Sequence, residues 1–421
     1  MRLALALAVA LLAVAAPAPA RADTGWCGTD QTATDRPDTV TGPQLHLVYA
    51  YPSDGGNDFA HAAPAIVTDV TEVDAWWRGQ DPTRTPRFDL AAFPGGCTGF
   101  GNLDLGVVQL DLTAAQLTPN DGRYEQIYQA LPAFDDWKKV VVYYDGPLAD
   151  PTLCGTGGGD PYTGSGSLAV IYMRSSCTDP QTERAAVLAH EMTHEMGAPT
   201  GSEPHPYPGD TGHVGDAGND LMYPYLSATS LDELVLDVGR DDYYSDGGSW
   251  FDLANSGWLR HLDVPQQQLA VTIAGTGSVA SDLPGVACTA TCSTLWDAGT
   301  QVTLNPTPGD GQRFVGWQGA CTGDFCKVTL SEPTAVTAVF GPSTVRLTVR
   351  LAGRGTVTGP RITCPGRCSA AVSAGDPLTL RAKPAKGWRF AGWTGGCRGT
   401  RLACSLSPQA AVAVQARFLR R

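Results

Sequence analysis

His190-Glu191-Met192-Thr193-His194 sets two imidazoles four residues apart with a carboxylate beside the first. Positions i and i+4 of a helix share a face, so both rings can reach one ion. Neutral imidazole binds zinc at about 2.0–2.1 Å. A carboxylate beside such an ion can take a proton from water and return it to a leaving amine. The chemistry implied is hydrolysis at Zn2+ with Glu191 as general base. Four of the seven histidines, His190, His194, His205 and His213, fall within 24 positions, and Met222 follows in a turn-like run, Asp220-Leu221-Met222-Tyr223-Pro224.

A helix must carry this motif, and Asp179-Pro180 supplies an N-cap and a first-turn proline for one running to Gly197. Ahead of it, residues 44–51, 103–112, 138–144 and 167–173 read as strands. Residues 58–78 and 123–130 read as helices, the first with Pro64 near its start. Residues 155–166 are glycine-rich but lack the Gly-Lys-Ser/Thr ending of a phosphate loop, so they read as a flexible loop before a strand. The expectation is an α+β domain, a mixed sheet plus an active-site helix.

With these residues the chain resembles the metzincin metallopeptidases, whose motif is H-E-x-x-H-x-x-G-x-x-H/D followed by a methionine turn. His190, Glu191, His194 and Gly197 match, and Met222 looks like the turn methionine. Thr200 stands where the third ligand belongs, and a threonine hydroxyl is a poor zinc ligand. His213 and His205 are the candidates to complete the site, with Asp210 or Asp216 behind them. His213 is favoured because it lies beside Gly212 and shortly before the methionine turn, whereas His205 sits in a stiff Pro-His-Pro segment. The long stretch from Ala198 to Asp220 marks a divergent branch. Across most of residues 40–262 the chain also resembles a group of exported bacterial zincin-like proteins. The resemblance implies a zinc-dependent endopeptidase acting on protein or peptide, with Met222 packed under the ligands. Tyr223 and Tyr225 lack the spacing of an oxyanion-binding tyrosine. His46, His61 and His261 read as structural or solvated, and Asp241, Asp242 and Asp246 lack EF-hand spacing.

The last third repeats itself. Residues 269–340 and 347–418 share two close cysteine pairs and a Phe-x-Gly-Trp element, Phe314 to Trp317 and Phe390 to Trp393. Alternating apolar residues read as half-buried strands, and units this small need bridges to supplement their cores. These units resemble the internalin-type B-repeat of exported bacterial proteins, which implies a spacer or attachment module, for example to a cell wall.

Residues 1–22 have the basic start, apolar core and A-x-A ending of a secretory signal. Twelve cysteines in an exported chain read as disulfides, and Cys27, Cys97, Cys154 and Cys177 allow three connectivities. The formal charge of −13, taken as dispersed, argues against nucleic acid and anionic membrane as partners. The expected organisation is a signal peptide (1–22), a zincin-like domain (23–265) and two small disulfide-bonded all-β repeats (266–341 and 342–421), secreted and monomeric. The alternative is a cell-surface binding or spacer protein whose metal site is inactive.

Overall fold

The computed structural model describes residues 25–119, 122–134, 136–162, 164, 166–178, 181–226 and 230–421. The signal-like stretch and the Asp179-Pro180 helix opening lie outside the described residues. The chain divides into two compact units between Val264 and Pro265. Strands dominate, and among the described residues no helix is long and apolar enough to cross a membrane.

The first unit is built on β1 (Gln44–Tyr51), α1 (Phe59–Gln80), β2 (Leu105–Gln109), α2 (Arg123–Ala130), β3 (Lys138–Tyr144), β4 (Gly155–Thr156), β5 (Ala169–Tyr172) and α3 (Gln181–Glu195). The sheet order is β2-β1-β3-β5-β4. Its first four strands are parallel, and β4 runs antiparallel at the edge. Strand β1 is buried along nearly its whole length, Gln44 and His46 included, because both sheet faces are covered. Leu45, Leu47, Tyr49, Val141, Tyr143 and Ile171 face one core with α1 and α3. Val48, Ala50, Val140, Val142, Tyr144 and Val170 face the other, with Ile127 of α2.

Helix α1 continues through Pro64, which falls early enough to forfeit only one hydrogen bond of a 22-residue helix. An ion pair clamps α1 to α3: Arg184 Nε and Nη2 donate to Asp69 at 2.6 and 3.0 Å, and Tyr143 Oη donates to the same carboxylate from β3. Asp69 is fully buried, and burial pushes its carboxyl up to about 6 against the pull of Arg184. The strands expected at 103–112 and 167–173 are shorter than their apolar runs, since residues at both ends leave the ladder for turns.

Cys27 is bonded to Cys97 and Cys154 to Cys177, which selects one of the three connectivities. Each close pair in the repeats is bridged as well. Six disulfides fit an oxidising compartment. The second unit holds two similar modules, each with two four-stranded sheets over its own core. Trp296 and Trp317 fill one core, and Trp393 with Phe418 the other.

Candidate metal centre

Helix α3 buries nearly all of its surface between the sheet and α1; Ala185, Ala186, Leu188, Ala189 and Met192 are fully enclosed. It ends at Gly197, whose φ of +95° turns the chain out, and a Cβ there would sit 2.5 Å from Pro161 Cα. His190 and His194 leave the helix on one face, as their spacing requires. A short hairpin, β6 (Pro206–Tyr207) and β7 (Asp210–Val214), brings His213 to them. The three Nε2 atoms lie 3.1, 3.2 and 3.3 Å apart.

The methionine turn holds two of these rings in place. His190 Nδ1 donates to Leu221 O at 2.6 Å, and Val214 N–H, next to His213, donates to Met222 O at 3.0 Å. His213 Nδ1 faces Asp210 Oδ2 at 2.9 Å. Met222 is itself fully buried, and its N–H is taken by Asp220 Oδ1. With Nδ1 of His190 and His213 committed as donors, their Nε2 atoms present lone pairs. Burial lowers the His190 pKa to about 3 and holds His194 well below the usual imidazole range, so both are neutral.

Three lone pairs aimed at one point repel unless a cation lies among them. A tetrahedral zinc with bonds of about 2.0–2.1 Å separates its ligand nitrogens by about 3.3–3.4 Å, close to the spacing here. The donor set, three imidazoles of which His190 and His213 are hydrogen-bonded at their outer nitrogens, also suits that ion. The residues fit the group.

Glu191 is 6% exposed, and burial pushes its carboxyl up to about 8. It shares with His190 and His213 a cavity of about 450 Å³, walled by Leu153, Val187, Pro224 and Leu226. The segment after Cys154 lies flush on α3. A Cβ on Gly155 would stand 2.4 Å from Glu191 Oε1, one on Gly157 2.7 Å from His194 Cβ, and one on Gly159 2.0 Å from Glu195 O. Within the glycine-rich stretch read as a flexible loop, Gly155 and Thr156 are the edge strand, and Gly157 and Gly159 continue it against the helix. Alternate glycines at 155, 157 and 159 were the available signal: they free one side of an extended chain.

His205 does not join the cluster. Its Nδ1 and its N–H both face the buried carboxylate of Asp242, at 3.2 and 2.9 Å. Asp216 groups with His205, Asp241 and Asp242, while Asp210 supports His213. Thr200 donates to Glu203 through its hydroxyl. Tyr223 and Tyr225 pack edge-on with Tyr207 at 5.7–6.0 Å, and Tyr225 lines the cavity. A second acid cluster, Asp35, His46, Asp89 and Asp104, is occupied by protein cations: Lys138 binds Asp35, Asp38 and Asp89 at 2.6–2.7 Å, and Arg36 binds Asp104.

Residues 269–344 and 345–421 each match the family model described as "Divergent InlB B-repeat domain", so the C-terminal part carries two such domains. No curated protein matches the chain. Among solved structures, OgpA from Akkermansia muciniphila, a catalytically inactive form in complex with an O-glycopeptide (glycodrosocin) substrate, is similar at 10% identity. That match covers 94% of this chain and 100% of OgpA, with a TM-score of 0.29. GBS52, the minor pilin of Streptococcus agalactiae, is similar at 8% identity over 37% of this chain and 96% of its own, with a TM-score of 0.17. At such TM-scores neither likeness bears on fold or activity.

Proposed function

We propose that the first unit is a zincin-like, metzincin-related peptidase domain, and that the chain is an exported zinc-dependent endopeptidase. The observation that carries this reading is the convergence of three imidazole Nε2 atoms within 3.3 Å beside the Glu191 carboxyl. His190, His194 and His213 would hold the ion. When bound, zinc supplies positive charge for a developing oxyanion and makes water acidic enough to attack near neutral pH.

The remaining roles fall to the chain itself. Glu191, which the positive charge of a bound ion would return to its carboxylate form, accepts the proton of the attacking water and passes it to the amine nitrogen as the peptide bond breaks. Leu221 O and Asp210 fix the tautomers of His190 and His213. Gly155 and Gly157 admit the carboxylate beside the rings without a side chain in the way. Leu153, Val187 and Leu226 offer apolar walls for a substrate side chain next to the scissile bond.

The test is cleavage of unfolded casein by the disulfide-bonded protein and by Glu191→Ala, with zinc determined in both. Cleavage by the wild type alone, with zinc retained by both, is the expected result. Zinc retained without cleavage by the wild type would move the reading to a metal-holding surface protein.

A further inference from the structure

We propose that the second repeat, residues 345–421, binds a linear acidic polysaccharide. The reading is independent of whether the metal site turns over. The formal charge of −13 conceals a division. Residues 345–421 contain fourteen Lys and Arg against one acidic residue, Asp376, or +13. The other 344 residues carry fifteen Lys and Arg against 41 acids, or −26. All fourteen cations are exposed, and among the described residues none has an ion-pair partner within the module. Unpaired like charges at this density repel one another, so they destabilise the module unless an anion compensates.

The fold does not require them. The first repeat builds the same strands with the same alternation of burial: Leu269 to Ala274 matches Leu347 to Ala352 position for position. Where the second repeat has Arg350, Arg354, Arg381 and Lys383, the first has Thr272, Thr276, Asn305 and Thr307. The first repeat, with Arg313 and Lys327 against five acidic residues, is weakly acidic, so one scaffold carries surfaces of opposite sign and the cationic charge answers to something outside the scaffold.

Strand register shows how the cations are set out. Arg346 and Arg350 alternate with buried Val345, Leu347 and Val349, which places them on the outer face of one sheet. Arg350 pairs with Gln415, two residues from Arg417 on the neighbouring strand, and Leu419 pairs with Arg389 on the next. Residues two apart on a strand share a face, so Arg350, Arg417 and Arg389 stand on one face across three adjacent strands. Arg381 and Lys383 project in the same way from the other sheet.

Twelve of the fourteen are arginine, whose planar fork matches carboxylate and sulfate oxygens two at a time. Cations on the outer faces of both sheets suit a flexible polymer that wraps, whereas a bilayer meets one face. A single-stranded nucleic acid would need stacking platforms. Phe390 is instead packed on Phe418 and Trp393, and the module's large exposed apolar side chains are Leu402 and Leu419.

The experiment passes the full disulfide-bonded chain over immobilised polygalacturonate and dextran sulfate in about 50 mM NaCl, with neutral dextran as control, and elutes with salt up to about 1 M. The variant Arg350→Thr/Arg354→Thr/Arg381→Asn/Lys383→Thr takes its residues from the first repeat. A companion, Arg350→Lys/Arg354→Lys/Arg381→Lys, keeps the charge. Wild type and companion are expected to be retained on at least one acidic polymer and released by salt, and the neutralised variant to bind about tenfold or more weakly at an unchanged unfolding temperature. Failure of the wild type to bind either polymer at low salt would overturn the proposal. So would equal binding by the neutralised variant, loss of binding by a folded companion, or tighter binding to phosphatidylglycerol vesicles or duplex DNA than to the acidic glycans.

Discussion

Gly155 faces Glu191 so closely that a single methyl group is a direct probe of the site. A Cβ there would lie 2.4 Å from Glu191 Oε1, 2.5 Å from Cγ and 2.6 Å from Cδ. Ordinary contact begins about 1 Å further out, so Gly155→Ala must displace either the carboxyl or the strand. The strand is held by its pairing with β5 and by the Cys154–Cys177 bridge, while Glu191 can yield only by changing rotamer. Overpacking of this kind costs about 1–3 kcal/mol of stability, and a displacement of about 1 Å at a reacting group costs about 100-fold in rate. The three imidazoles are untouched, so zinc content should equal that of the wild type. The assay is casein hydrolysis under saturating substrate, with zinc content and thermal unfolding of each protein. Gly155→Ala with wild-type kcat would refute the idea that this strand positions the carboxylate. Loss of zinc together with activity would refute the separation of the carboxylate from the ligands.

Two further outcomes follow from the charges around the site. Arg184→Met leaves Asp69 buried without its cation and should lower stability by about 3–5 kcal/mol in denaturant unfolding; Asp69→Asn combined with Arg184→Met should lose less than Arg184→Met alone, and an equal or larger loss would contradict the pairing. The His205 imidazole is raised above its usual pKa, chiefly by its hydrogen bond to Asp242, with Asp241 and Asp216 adding to it. A raised folded-state pKa gives stability that is complete below the unfolded value and is lost as pH rises through the folded one. The difference in unfolding temperature between wild type and His205→Ala should therefore be largest below the ordinary imidazole pKa of about 6.5 and fade as pH rises above it, and a difference that grows with pH would contradict the assignment.

What could be read from the sequence was whatever is local. The His190–His194 spacing needs only one turn of helix, and β1 and β3 carry the aliphatic and aromatic runs Leu47–Tyr51 and Val140–Tyr144. Bringing His213 to that helix depends on a return of the chain that no short-range pattern encodes. Its neighbours Gly212 and Val214 hint at a strand, but the bond from Val214 to Met222 joins residues eight apart across a turn. The edge strand carried a weaker signal: Gly155 and Thr156 have no hydrophobic pattern, and only the alternate glycines mark what a missing side chain permits. Asp242 claims His205 through a buried carboxylate 37 residues away, which composition cannot reveal. The charge division was present in the sequence but lost in the sum over the chain. Only the alignment of one repeat on the other shows that the cations occupy positions the fold leaves free.

Zinc content measured after dialysis against a weak chelator, for wild type, His213→Ala and His205→Ala, goes most directly to the three-imidazole centre. About one zinc per chain is expected in the wild type and in His205→Ala, and far less in His213→Ala. Zinc kept by His213→Ala and lost by His205→Ala, or no zinc in the wild type, would contradict the centre described here.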